Sequence, residues 1–174
     1  FKPHQMHLTP EEFNPYYTAY IEGATKSDSI VKSLTLNLKS VVEFYNNLPE
    51  SKLKFAYAEG KWTPKDILLH IIDTERIFSY RALRIARGDK TEMVGFEQDD
   101  YVESGKANKR SLKALLDEYK SVRNATIFLF NSFSDAELKQ IGKASGSNIS
   151  VRAIGHIITG HENHHNKIIE ERYL

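Results

Sequence analysis

Near the C-terminal end of the chain, His161 and His165 stand four residues apart in Gly160-His161-Glu162-Asn163-His164-His165. The isoleucines around them, Ile154, Ile157, Ile158 and Ile168, recur at three- and four-residue spacing, which predicts a helix with one apolar face. At roughly 100° per residue the two histidines are about 40° apart on that face, one turn from each other and directed at the core. Neutral imidazoles in this arrangement can converge on one divalent ion, with zinc–nitrogen distances near ~2.0–2.1 Å. The competing reading is a pair of core histidines held by hydrogen bonds alone. By the same projection His156 lies nearly opposite the stripe and reads as a solvated or loop-contacting residue. His164 lies on the flank.

A second set of chemically capable residues follows Gly60-Lys61-Trp62-Thr63-Pro64. Thr63 reads as a helix N-cap, Pro64 as the first helical residue and Asp66 as an acid at the positive end of the helix dipole. In the helix so started, 64–87, Ile67, Ile71, Phe78 and Ile85 form one apolar line, with Leu68 and Ala82 beside it. His70, Thr74 and Ile77 form an adjoining line, so His70 can point inward. Asp73, three residues on, reads either as a surface charge paired with Arg76 or as a carboxylate supporting a histidine–metal bond. Glu75 is a second acid that could support the site. Arg123 falls inside an apolar stripe, and a buried guanidinium must be paired. Its partner reads as Asp73, Glu75 or Glu118; alternatively Arg123 is a hook for an anion near the metal.

The elements that must position these groups are helices. Apart from 64–87, a first long helix reads over 27–48, with Ile30, Leu34, Leu38, Val41, Tyr45 and Leu48 inward and Pro49 ending it. Another reads over 109–131, with Leu112, Leu115, Leu116, Tyr119, Val122, Thr126 and Phe130. The last starts behind Ser150. Residues 1–25 form an arm in which Thr9 caps a helix start at Pro10, and Tyr16, Tyr17 and Tyr20 offer packing surface to the bundle or to a partner subunit. Residues 88–108 read as a long acidic connection that crosses the bundle or covers a site. Ser134 caps a short turn, and 142–147 reads as a flexible loop. With no convincing strand, the fold class is all-α: a four-helix bundle with long connections, at least one crossover, and a short N-terminal helical arm.

The whole 174-residue chain reads as one domain with a core large enough to stand without staples. Charged residues make up 27% and balance to a net +1, which gives no electrostatic footprint for nucleic acid or for a membrane surface. No run reaches the ~18 apolar residues of a membrane span. The chain has no cysteine, so a protein thiolate is excluded as nucleophile and any metal must be held by His, Asp, Glu or water. That composition fits a reducing cytoplasm.

Three features together resemble the DinB-like (DinB/YfiT) superfamily of metalloenzymes: the Gly60-Lys61-Trp62-Thr63-Pro64 lead-in, the run from His70 to Arg76, and the His161-x3-His165 motif. The resemblance covers nearly the whole chain. It implies a four-helix bundle of non-simple topology and a metal site built from one histidine of the second helix and two of the fourth, which here are His70, His161 and His165. It also implies metal-dependent hydrolysis or transfer of a low-molecular-weight thiol to a small-molecule substrate, and a homodimer. Three histidines leave a coordination position open for water or substrate. Zinc lowers the pKa of bound water to roughly 7. Imidazole suits nickel and iron as well as zinc, so the donor set does not name the ion. A non-catalytic bundle with a structural metal is the alternative, and a fourth protein ligand would mark it.

Overall fold

The computed structural model describes residues 7–174. The beginning of the expected arm, residues 1–6, lies outside the described residues. Two 3-10 turns, Pro10–Glu12 and Pro15–Tyr17, lead into α1 (Thr18–Glu22), followed by α2 (Ile30–Asn46), α3 (Pro64–Ala86), α4 (Gln98–Gly105), α5 (Leu112–Asn131), α6 (Asp135–Leu138), the strands β1 (Ile141–Ala144) and β2 (Ser147–Ser150), and α7 (Val151–Arg172). The long helices α2, α3, α5 and α7 form the bundle, as their amphipathic patterns require.

Their starts are fixed by local chemistry. Ser29 accepts from the Lys32 amide at 3.1 Å at the head of α2. Thr63 and Asp66 form a reciprocal capping box with Pro64 at the first helical position of α3. Ser111 caps α5, and Ser150 caps α7 by accepting from the Ala153 amide at 3.0 Å. Each cap satisfies an amide that would otherwise have no partner within the helix.

Around the bundle, α3 packs against α5 and α7, and α2 packs against the same two helices from the other side. The first and second long helices are therefore diagonal, as are the third and fourth. Asn37 bonding Glu162, with Ile30 beside Gly155, makes α2 and α7 parallel. Lys65 bonding Arg110 and Glu75 bonding Arg123 make α3 and α5 parallel, while His70 beside His165 and Phe78 beside Ile157 set α3 antiparallel to α7. The order is up, down, down, up. The expected crossover is the 88–108 segment: α3 and α5 are parallel neighbours, so the chain runs back along the length of α3, from Asp89 beside Arg84 to Asn108 beside Asp66. The diagonal connections are 47–63 and 132–150.

Two expectations are corrected. Residues 88–108 carry α4, which lies on α3 closely enough that a side chain on Gly105 would meet Leu69. The segment 142–147 is part of an antiparallel hairpin, with Ala144 opposite Ser147 and the turn at 145–146. Ser145 and Gly146 both take positive φ, 51° and 79°, which matches the right-handed twist of a two-residue hairpin turn. The Met93 amide donates to the Lys143 carbonyl and the Ser145 amide to the Met93 carbonyl, so the α3–α4 connection is pinned to this hairpin.

The core has two apolar parts along the bundle axis. One holds Leu34, Phe78, Ile85, Phe130 and Ile154; the other holds Val41, Tyr45, Leu68, Leu115, Tyr119 and Ile169. On each helix the residues between them are polar: Asn37 on α2, Thr74 and Glu75 on α3, Arg123 and Thr126 on α5, His161 and Glu162 on α7. The bundle thus carries a polar layer across its middle. Among the described residues no helix is long and apolar enough to cross a membrane.

Candidate metal centre

Histidines 70, 161 and 165 come together at one edge of this polar layer. The His70 and His161 Nε2 atoms are 3.0 Å apart, and those of His161 and His165 are 3.1 Å apart. One ligand atom from each of the three lies within 4.8 Å of the others, and no carboxylate or fourth histidine among the described residues joins the group. His70 and His161 are buried and His165 is half-buried.

The electrostatics favour lone pairs over protons. Burial pushes His70 down to about 4 against the pull of Asp99. Burial, with His70 and His164 adding to it, pushes His165 down to about 3. His161 is likewise held well below the usual imidazole range, by burial first and then by the three neighbouring rings. Neutral rings carry one N–H each, so the close Nε2 atoms cannot all be satisfied by one another. With the protons on Nδ1, all three lone pairs point at one place. Nitrogens 3.0–3.1 Å apart can be bridged by an ion ~2.0–2.1 Å from each. The residues present fit a divalent metal.

Aromatic rings fix the imidazoles. Trp62, from the Gly60–Pro64 lead-in, sits 4.8 Å from the His70 ring and is stacked 6.3 Å from that of His165. Its backbone carbonyl accepts from the Tyr173 hydroxyl at the end of α7. On the other side Tyr20 of α1 meets His161 and His164 edge to face, at 5.4 and 5.3 Å. α1 comes this close because residue 160 is glycine: a Cβ there would stand 1.8 Å from the Tyr20 carbonyl oxygen.

The other sequence candidates fall elsewhere. Asp73 makes no hydrogen bond to His70 among the described residues; it is half-buried near Glu118, Arg76 and Arg110, and burial, reinforced by Glu118, raises its pKa. His70 Nδ1 instead faces the Thr74 hydroxyl, at a long 3.5 Å. Glu75 and Arg123 are buried and paired: Arg123 donates from Nε and Nη2 to the two Glu75 oxygens at 3.0 and 2.7 Å. Its Nη1 donates to the Leu34 carbonyl, and Nη2 also reaches Glu162 at 2.7 Å. A guanidinium engaged in this way is a structural ion pair and offers no hook to an anion.

Glu162 is the residue that sequence reasoning passed over. It takes hydrogen bonds from Tyr119 at 2.5 Å and Asn37 at 3.1 Å besides Arg123. This ties α2, α3, α5 and α7 together beside His161. Burial raises the Glu162 pKa against the pull of Arg123. His156, expected at the surface, is 1% exposed. The reason is that α7 has no solvent face over its first turns: every residue in 151–162 except Arg152 is buried beneath α1, α2 and α3. A projection that assumes one wet face fails on such a helix.

His161 also lines a cavity of about 620 Å³ between α1, α3, the 95–98 segment and the hairpin. Tyr16, Tyr17, Phe78, Phe96 and Ile157 give it an aromatic and apolar wall, and Thr74, Arg81 and Ser145 add polar groups. Residues 88–108 do cover a site, through Gly95, Phe96, Glu97 and Gln98. Trp62 stands in the lead-in motif and Tyr20 in the arm offered to the bundle, though the sequence assigns neither to the histidines, and Arg81 carries no sequence signal.

No curated protein sequence matches the chain. Among solved structures it is similar to YfiT from Bacillus subtilis, described as a probable metal-dependent hydrolase with an unusual four-helix bundle topology. The two are 16% identical, the match covers 95% of this chain and 90% of that one, and the TM-score is 0.66, which shows a shared fold. The DinB superfamily model matches residues 33–169, spanning all four bundle helices and the three converging histidines, and the chain belongs to that superfamily.

Proposed function

We propose that this chain is a metal-dependent enzyme that transfers a low-molecular-weight thiol to a small substrate, with a divalent ion held by His70, His161 and His165. The observation that carries the reading is the convergence of three neutral imidazole nitrogens beside a 620 Å³ cavity with no fourth protein ligand among the described residues. A structural zinc site is ordinarily closed by four protein ligands, whereas three ligands leave room for a reactant. Bound there, zinc, nickel or iron would supply Lewis acidity and lower the pKa of the group that completes its coordination.

The chain's own residues do the rest. His70, His161 and His165 present lone pairs at neutral pH because burial disfavours their charged forms. Trp62 and Tyr20 hold the rings from opposite sides and keep bulk water from them. Glu75, Arg123 and Glu162 brace the helices that carry the ligands. None of these carboxylates is placed to take a proton from a reactant, and Asp73 lies among other charges. A nucleophile that loses its proton readily therefore suits the site, and a thiol, with a pKa near ~8.5, does so far more easily than water. The cavity leaves space for a second substrate. A chain without cysteine fits a cytoplasm in which such a thiol stays reduced.

Hydrolysis is the second reading, favoured by the description of YfiT as a metal-dependent hydrolase. Loading the metal-free protein with nickel and titrating small thiols separates the two. A sulfur-to-nickel charge-transfer band, with substrate-dependent thiol consumption, is the expected result. Ester or amide turnover without thiol binding would overturn transfer in favour of hydrolysis. His161→Ala should purify with at least tenfold less metal than wild type; equal metal in both, by elemental analysis, removes the site altogether.

A further inference from the structure

The cavity that His161 lines contains an unusual cation. Arg81 lies on α3 three turns after His70, so the two Cα atoms are about 16 Å apart along the helix. The side chains of a helix lean toward its N-terminus, which directs Arg81 back toward the histidine end. Arg81 is only 3% exposed, yet no carboxylate among the described residues pairs with it. Every other buried or half-buried arginine among them has an acid: Arg123 has Glu75 and Glu162, Arg152 has Glu12, Arg84 has Asp89 and Arg110 has Glu118. Glu97 lines the same cavity but forms no ion pair with Arg81.

The partners Arg81 has are neutral. Its Nη2 donates to the Val94 carbonyl at 3.1 Å and to the Ser145 hydroxyl at 3.2 Å. Its guanidinium carbon lies 5.2 Å above the Phe78 ring, and the Tyr17 hydroxyl is a further, neutral hydrogen-bond partner. These contacts come from the α3–α4 connection, the hairpin turn and the arm, and they hold the guanidinium at the cavity wall. Five N–H donors in a planar fork exceed what these acceptors take up. Buried charges are ordinarily paired, and an arginine fork matches carboxylate or phosphate oxygens two at a time.

We propose that Arg81 anchors an anionic group, a carboxylate or phosphate, on the small molecule that occupies this cavity. The substrate class is then an amphipathic anion. Its charged end lies on Arg81, its apolar body lies along Tyr17, Phe78 and Ile157, and its other end lies at the histidines. The proposal deepens the metal-enzyme reading and rests on it for the identity of the reacting end. The anion site itself stands on the cavity and on a guanidinium that has neutral partners but no acid.

The test uses octanoate and octanamide, equal in shape and different in charge, titrated calorimetrically into the full chain with and without metal. Octanoate is expected to bind at least tenfold more tightly than octanamide in both forms. In Arg81→Gln that preference should fall to about onefold with metal content unchanged, and Arg81→Lys should keep part of it. Equal affinities in wild type, no binding of either, or a preference surviving in Arg81→Gln would each overturn the anchor. The wild-type comparison decides the matter even if Arg81→Gln does not fold. A preference seen only in metal-loaded protein would place the anion at the metal and also overturn it. Loss of metal binding in His161→Ala with the octanoate preference intact separates this proposal from the fate of the metal centre.

Discussion

At the scale of single residues, the polar layer is held by one cation paired with two acids. Arg123 is wholly buried, and its donors are taken by Glu75, Glu162 and the Leu34 carbonyl. Removing it leaves two carboxylates in a low-dielectric interior without a counter-charge. Arg123→Met should therefore destabilise the fold by about 3–5 kcal/mol, read as a lower urea midpoint with an unchanged slope. Adding Glu75→Gln and Glu162→Gln to it should recover part of the loss, because the cost lies in the uncompensated charge. If the single variant is as stable as wild type, the network does not hold the layer together. Arg81, fixed in a similar interior by neutral partners only, is the contrasting case, and that contrast is why a ligand is expected there and not at Arg123.

At the scale of elements, the arm belongs to the site. α1 lies against α7 through Gly160, where even a methyl group would collide with the Tyr20 backbone. Gly160→Ala should lift α1 from α7, at about 1–3 kcal/mol of overpacking, and take Tyr20 away from His161. Lys26 is exposed just beyond α1. Trypsin should cut there several times faster in the variant while the bundle stays folded by circular dichroism. Unchanged cleavage at Lys26 would show that the arm is not seated by this contact. The hairpin works in the same way for the opposite wall, since its turn residue Ser145 receives Arg81 and its Lys143 carbonyl pins Met93.

At the scale of the whole molecule, the arm is tied to the N-terminal turn of α7 by charge. Glu12 accepts from Arg152 at 2.6 and 2.7 Å, from Ser150 at 2.8 Å and from the Thr9 amide at 2.7 Å. Burial works against its ionisation, but these bonds hold its carboxyl down to about 2 from an ordinary 4.5. A carboxyl whose folded pKa is depressed contributes stability that is complete above its unfolded pKa and is lost as the pH falls through the folded value. Glu12→Gln should therefore be less stable than wild type by roughly 2–3 kcal/mol at neutral pH. The gap should narrow as the pH falls from about 4.5 toward about 2. A gap that stays constant over that interval, in urea melts at a series of pH values, would mean that the loss is one of packing and not of charge.

Much of this was legible in the chain itself, for reasons of short range. Caps, prolines and three- and four-residue apolar spacing are local, so the four bundle helices and two of their N-caps, Thr63 and Ser150, follow from sequence alone, while the other two helices start three residues later than read, behind Ser29 and Ser111. The convergence of His161 with His165 needs only one helical turn, and the inward line of His70 needs only the neighbouring isoleucines. What needed the tertiary structure depends on which helices are neighbours. The diagonal placement of α2 and α3 is set by packing across the bundle, and no local signal encodes it. Asp73, read as a support for His70, lies toward α5, while Glu162, unremarked beside His161, joins four helices. His156 is buried because α1 folds over a face of α7 that periodicity alone would leave wet. The cavity with Arg81 in its wall exists only where arm, hairpin, α3 and the 95–98 segment meet, segments far apart in the chain. Helical geometry acts over a few residues and can be read from them; the partner of a buried charge is chosen by the whole fold.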